Sequence, residues 1–208
     1  MVYESKHPLI KLKLSLLRDE NTNDKLFREL LEEITMLLTY EAFSDISLIT
    51  SEEAKTPTGS TVPIYKLEKE VVALPILRAG LGMVRGLTNL IPTIKVGHIG
   101  LYRDEKTLKP VRYYYKMPQN RLDGKIIILD PMIATGNSIC DAISALKKDG
   151  YNDIIVIALI AAPSGLENIK NEHPDINIYL ANIDEKLNEH GYVIPGLGDA
   201  GDRIFGTK

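Results

Sequence analysis

Asp130, Thr135, Gly136 and Ser138 fall within one short run, DPMIATGNS, at residues 130–138. Two hydroxyls flank a glycine that lets backbone approach a ligand closely, a composition suited to cradling a phosphate. A carboxylate beside a phosphate repels it, so Asp130 must serve otherwise, by accepting hydrogen bonds from sugar hydroxyls or by standing near a metal. One acid and one phosphate cradle separated by a few residues match the two ends of a ribose 5-phosphate. A TGxS alone is an ordinary helix cap, so the case depends on the elements that hold it.

Upstream, Ile126, Ile127, Ile128 and Leu129 do not alternate with polar residues. Both faces of that strand should be covered, as in a parallel sheet flanked by helices. Downstream, Ile139, Ala142, Ile143 and Leu146 recur at helical spacing and Gly150 supplies a stop. A helix beginning near Ser138 would turn its unpaired N–H groups and the positive end of its dipole toward the loop, where an anion is favoured. Further apolar runs at Val71 to Leu77, Val96 to Leu101, Ile154 to Ala161 and Ile176 to Ala181 alternate with helical segments. The predicted class is α/β, with ligands at the carboxyl ends of the strands.

Two other segments stand out. From Asp24 to Glu41, Leu26, Phe27, Leu30, Leu31, Ile34, Leu37 and Leu38 form the stripe of an amphipathic helix opened by Asn23 or Thr22, expected to pack on the chain's own sheet. VGHIGLY and VRYYYK bracket the polar segment Arg103 to Pro110, which reads as a long hairpin. With Asp104, Glu105, Lys106 and Lys109 it lacks the apolar content to be buried and is a candidate lid.

Composition bounds what this machinery acts on. The 208 residues suffice for one domain spanning 1–208. Lys plus Arg number 25 against 28 Asp plus Glu, a net charge of -3, so no basic excess points to nucleic acid and any phosphate binding must be local. Cys140 is the only cysteine, which excludes an intrachain disulfide and suits a reducing, cytoplasmic setting; on a helix face it reads as a small buried apolar residue. No run of 18 apolar residues suggests a membrane span. His7, His98, His173 and His190 show no short metal-ligand spacing.

The run DPMIATGNS resembles the phosphoribosyl pyrophosphate (PRPP) loop of type I phosphoribosyltransferases, and in this form that of the uracil phosphoribosyltransferase family. The likeness extends through HPLIKLKLSLLRDENT, LLTYEA, PILRAGLGM, GLYRDEKTLKP and VIPGLGDAGDRIFGT. It implies a type I phosphoribosyltransferase fold, a mainly parallel sheet with a projecting hairpin and a C-terminal base-binding loop. The implied activity is a pentosyl transfer in pyrimidine salvage, uracil plus PRPP giving UMP plus diphosphate. The loop Asp130, Pro131, Met132, Ile133, Ala134, Thr135, Gly136, Asn137 and Ser138 would hold PRPP, with Arg78 and Arg103 at its diphosphate end. Asp199 would lie between base and sugar, with Mg²⁺ carried by PRPP and not caged by the protein. The catalytic set implied is Arg78, Arg103, Asp130 and Asp199.

By the same resemblance, backbone at Val193, Gly198, Asp199 and Ala200 would meet uracil. Fixed N–H and C=O groups can separate the acceptor, donor, acceptor edge of uracil from the edge of cytosine. The glycines of GLGDAG satisfy a dinucleotide fingerprint, but the six residues after Asp202 leave no room for its fold. Where this family usually has Leu and Gly, the chain has Ile133 and Asn137; the latter matters if that backbone needs positive φ. The resemblance also implies a homodimer or higher homo-oligomer and admits GTP as an activator. A pyrimidine-responsive RNA-binding regulator, and the same fold turned to a purine, are the competing readings.

Overall fold

A computed structural model of the chain describes residues 1–103, 110–119 and 122–207. In chain order it has strand β1 (Val2–Glu4), helices α1 (Pro8–Arg18) and α2 (Asp24–Ala42), strands β2 (Leu48–Lys55), β3 (Thr61–Leu67) and β4 (Val71–Leu77), helix α3 (Leu81–Leu90), then β5 (Lys95–Val96), β6 (His98–Arg103) and β7 (Pro110–Lys116). The second half adds β8 (Lys125–Leu129), β9 (Met132–Ile133), α4 (Asn137–Lys148), β10 (Ile154–Ala161), α5 (Pro163–Glu172), β11 (Asn177–Ile183), β12 (Lys186–Leu187), β13 (Val193–Ile194) and α6 (Ala200–Phe205).

Among the described residues the main sheet has the order β1-β11-β10-β8-β4-β6-β7, with β5 beside β4 and β9 beside β10. Neighbours run parallel except β6 with β7. From β4 the chain adds β6 on one side and then crosses to place β8 on the other, so the order reverses between β4 and β8. The crevice beyond the carboxyl ends at such a reversal is where open α/β sheets take ligands.

Both faces of β8 are covered, as its unbroken apolar run predicts. Ile127 and Leu129 face a core shared with α1, α2, α3 and α6, whereas Ile126 and Ile128 face one shared with α4 and α5. All four are fully buried, each worth about 2 kcal/mol in apolar transfer. Helix α2 is capped by Asn23, whose side chain accepts from Leu26 N at 3.0 Å. It packs as its stripe predicts, although Leu26 itself stays exposed. The buried Thr35 and Thr39 hydroxyls bond back to Leu31 O and Thr35 O, each at 2.7 Å, which satisfies them inside the core.

Boundaries differ in places from the sequence pattern. The run from Val96 is divided, because Gly97 sits where a Cβ would come within 3.0 Å of Lys116 O and 2.8 Å of Met117 Sδ. The strand expected from Ile176 begins at Asn177 and continues to Ile183. Strands β6 and β7 form the expected antiparallel pair, from His98 opposite Lys116 to Arg103 opposite Pro110. The proposed lid segment with Asp104, Glu105, Lys106 and Lys109 lies outside the described residues, as does the Arg103 side chain. Unannounced by the sequence pattern is a second hairpin, β2 with β3, almost wholly exposed.

Candidate active site

The first half of the 130–138 loop is stitched to β10. Pro131 O accepts from Leu159 N and Ile160 N at 3.0 and 3.1 Å, β9 pairs with the end of β10, and Ala162 N donates to Ile133 O at 2.8 Å. The second half rests on α5. A Cβ on Gly136 would stand 2.6 Å from Gly165 O, and one on Gly165 would stand 2.3 Å from Ala134 O. The Asn168 amide then donates to Thr135 O at 3.0 Å and Asn137 Oδ1 at 2.9 Å. Gly165 and Asn168 were not singled out by sequence reasoning, although a glycine inside a helix is a signal that something approaches closely.

Helix α4 starts at Asn137, next to Ser138 as expected. Its N-cap is Gly136, with φ 80° and no side-chain cap bond, so the first-turn N–H groups retain their capacity for an anion. The positive φ therefore falls on a glycine, and Asn137, helical in backbone, contributes its side chain to the Asn168 link. Ile133 is buried in the core under α4. At the head of the loop Asp130 receives, among the described residues, only a long 3.4 Å contact, from Met132 N. Burial pushes its carboxyl up to about 7, and that weak bond lowers it little.

Arg78 follows β4 directly, across a cis Leu77–Arg78 peptide bond. Two residues on, a Cβ on Gly80 would lie 2.3 Å from Leu129 O and 2.7 Å from Ile76 N. Only glycine lets this turn fold across the end of β8, and so the loop that carries Arg78 abuts the strand that delivers Asp130. The Arg78 side chain is 56% exposed, with Nη2 3.5 Å from Asp202 Oδ1. An ion pair so long and so wet holds the guanidinium weakly, leaving it exchangeable for phosphate oxygens.

Asp199 caps α6, its Oδ1 accepting from Asp202 N at 2.9 Å. Asp199 and Asp202 line a pocket of ≈ 180 Å³ with Asp24, Arg203 and Gly206. Sequence reasoning missed Asp202, which brings Arg78 to Asp199. Ahead of Asp199, Val193 is buried in β13, Gly198 has φ 79°, and Ala200 opens α6. With α6 only 6 residues long, GLGDAG opens no dinucleotide-binding unit.

This segment is held from far away in sequence. Arg18 donates to both Asp184 carboxylate oxygens, at 2.5 and 2.8 Å, and to Gly196 O at 2.7 Å. Arg203 donates to Leu197 O at 2.8 Å and to Asp19 O at 2.6 Å, with its guanidinium 4.4 Å from the Phe27 ring centroid.

Elsewhere among the described residues, Cys140, Glu172 and His173 bring potential metal-ligand atoms within 4.8 Å of one another. Burial, with the Glu172 carboxylate adding to it, pushes the Cys140 thiol up to about 11. His173 Nε2 stands 3.2 Å from both Ser144 Oγ and Cys140 O.

The uracil phosphoribosyltransferase family model matches residues 4–207. A uracil phosphoribosyltransferase from Clostridium beijerinckii is 57% identical over 100% of this chain and 99% of its own length. One from Thermoanaerobacter is 54% identical over 100% and 98%. A solved structure of an Aquifex aeolicus protein superposes with TM-score 0.92 at 39% identity, covering 99% of this chain and 98% of that one. A Bacillus anthracis hypoxanthine-guanine phosphoribosyltransferase, TM-score 0.52 at 14% identity over 77% and 80%, shares the fold. A match running the length of the chain, on a sheet whose carboxyl edge gathers the strand–loop–helix turn, Arg78 and the glycine-rich C-terminal loop, places the protein in the uracil phosphoribosyltransferase family.

Proposed function

We propose that the protein transfers the 5-phosphoribosyl group of PRPP to uracil, releasing UMP and diphosphate for pyrimidine salvage. The observation that carries the reading is the placement of Arg78 and Asp130 after adjacent strands at the sheet's reversal point, beside a helix N-terminus with no side-chain cap. In this reading the 5′-phosphate takes the N–H groups and hydroxyls of Thr135 to Ser138, the ribose hydroxyls donate to Asp130, and Arg78 meets the diphosphate. Arg103, arriving with the hairpin, adds a second cation at that end.

The hard part of the reaction is charge separation. Negative charge grows on the departing diphosphate and positive charge on the anomeric carbon, so cations fixed at the leaving group favour the transition state over the ground state. Arg78 is suited to this because its side chain is half-exposed and its contact with Asp202 is long, at 3.5 Å. Uracil is read by backbone at Val193, Gly198, Asp199 and Ala200, whose fixed donors and acceptors suit its edge.

Mg²⁺ fits the residues present: Asp199 and Asp202 line one pocket, and a cation that keeps several waters needs only one or two carboxylates besides substrate phosphates. When bound, it neutralises developing diphosphate charge.

The protein should act as a homo-oligomer. The β2–β3 hairpin supports this, since Leu48, Ile49, Val62, Ile64 and Tyr65 are 40–61% exposed on it, an apolar surface that another copy would cover. A cytoplasmic location accords with the lone buried thiol. No described helix is long and apolar enough to cross a membrane. GTP as an activator is tested by adding it to the assay. No comparison supports an RNA-binding role.

The direct test supplies uracil, PRPP and Mg²⁺ to the purified protein and measures UMP and diphosphate by chromatography. Stoichiometric appearance of both supports the reading; absence of both, with Mg²⁺ present, overturns it. Chelating the metal should abolish turnover. Offering hypoxanthine or guanine instead decides the purine alternative.

A further inference from the structure

The segment assigned above to base recognition has few neighbours of its own kind to rest on. Strand β13 has two residues and pairs only with the two of β12 among the described residues, and α6 begins only at Ala200. Gly196, midway between Val193 and Gly198, is where the segment must be fixed if its flanking groups are to point at a base. Its φ is 70°, and a Cβ there would lie 2.2 Å from Val193 O, so no side chain can anchor it.

Its backbone is anchored instead, at both polar atoms and by one ion pair. Gly196 N donates to Asp184 Oδ2 at 2.9 Å, and Gly196 O accepts from Arg18 Nη1 at 2.7 Å. Arg18 and Asp184 are joined bidentately, and the Asn182 amide donates to Asp184 Oδ1 at 2.7 Å. The Asp184 side chain is 0% exposed and that of Arg18 20%. Charge-assisted bonds in a fork geometry are directional as well as strong. Asp184 leaves the carboxyl end of β11, with its N–H bonded to Ala161 O at 2.8 Å, and Arg18 ends α1. The clamp thus ties the segment to the rigid sheet and to a helix packed on it.

Resting on the uracil reading above, we propose that Arg18 and Asp184 are positioning residues for base recognition: together they fix the Gly196 peptide and thereby the donors and acceptors at Val193 and Gly198 to Ala200. Neither touches the base. Their loss should loosen uracil selection while leaving the 130–138 loop, which is tied to β10 and α5, in place.

The test measures kcat and separate KM values for uracil and PRPP, with cytosine as competitor, for wild type, Arg18→Lys and Asp184→Asn. Arg18→Lys retains charge but lacks the fork; Asp184→Asn keeps shape but replaces one acceptor oxygen by a donor. The expected result is a uracil KM raised roughly 10-fold or more, as for loss of a charge-assisted bond. PRPP KM should stay within about twofold, discrimination against cytosine should fall, and Arg18→Lys should be the milder variant. Folded variants with unchanged uracil KM, or with PRPP and uracil KM raised alike, overturn the proposal. Should neither variant fold, hydrogen exchange on wild type decides: a slow Gly196 amide without ligand supports the clamp, and exchange at the rate of an open loop overturns it. An inactive wild type would refute the uracil reading itself, a different outcome from active wild type with indifferent variants.

Discussion

The two loops proposed to form the site, 130–138 for phosphate and 193–200 for the base, lie at the same edge of the sheet but are held in opposite ways. Residues 130–138 run from a strand buried over Ile126 to Leu129 into a helix, and their supports, β10 and α5, follow within the next stretch of chain. Residues 193–200 take their shape from Arg18, Asp184 and Arg203, two of them reaching between the chain's ends. One loop is organised mainly by backbone hydrogen bonds and close glycine packing, the other by a few charged side chains, two of which join the chain's ends. A site on continuous elements is precise by default, whereas one held by side chains depends on each of them.

The sharpest break of the phosphate side is Asp130→Asn. Turnover should fall about 10³-fold, as for loss of a group aimed at the reacting sugar, with the fold intact. The carboxyl's ordinary value is 3.8 and burial lifts it to about 7. The folded state therefore holds this proton more tightly than the unfolded state, and stability contributed by the protonated group is lost as pH rises through about 7. At pH 8 the asparagine variant should melt no lower than wild type, checked by calorimetry; a lower midpoint would show that the carboxylate is a structural asset.

Next in size, Gly165→Ala drives a methyl toward Ala134 O and should displace the cradle. A shift approaching 1 Å costs on the order of 10²-fold in kcat/KM, expressed mainly through PRPP, and a crystal structure would show loop and helix moved apart. Asn168→Ala removes two amide bonds without adding bulk and should raise PRPP KM by roughly 10-fold while uracil KM holds. Equal changes in both constants would erase the distinction between the two loops.

The smallest effect is one of pH. Sugar hydroxyls favour the ionised form of Asp130, so PRPP binding should release a proton, and affinity should weaken by up to about tenfold per unit below pH 7. Titration calorimetry in buffers of different ionisation enthalpy reads that proton directly.

The same contrast explains what the sequence could reveal. Ile126 to Leu129, the TGNS turn and the α4 stripe are local patterns, and the fold class and the strand–loop–helix turn at 130–138 were legible in them. Arg78 was named through the family resemblance, and the structure sets it directly after β4. Arg18 and Asp184 were not: Arg18 falls within the quoted run HPLIKLKLSLLRDENT, but nothing local marks it or Asp184 as functional, and their pairing is created only by the fold. Helix α1 was hidden by its own spelling: in PLIKLKLSLLR the leucines recur at two-residue steps like a strand, but only Ile10, Leu14 and Leu17 are buried. The β2–β3 hairpin lacks a buried face, and therefore lacks the alternation by which strands are recognised.

The solitary Cys140 is nearly inaccessible and its thiol stays protonated far above neutrality. The natural chain should therefore react slowly with mild alkylating dyes, and a thiol added at an exposed place such as Glu167 on α5 should be labelled ahead of it. Because α5 touches the 130–138 turn through Gly165, a fluorophore there would sit on a lever joined to the proposed phosphate cradle, an optical test of whether PRPP occupies it that leaves the turn's own residues unchanged.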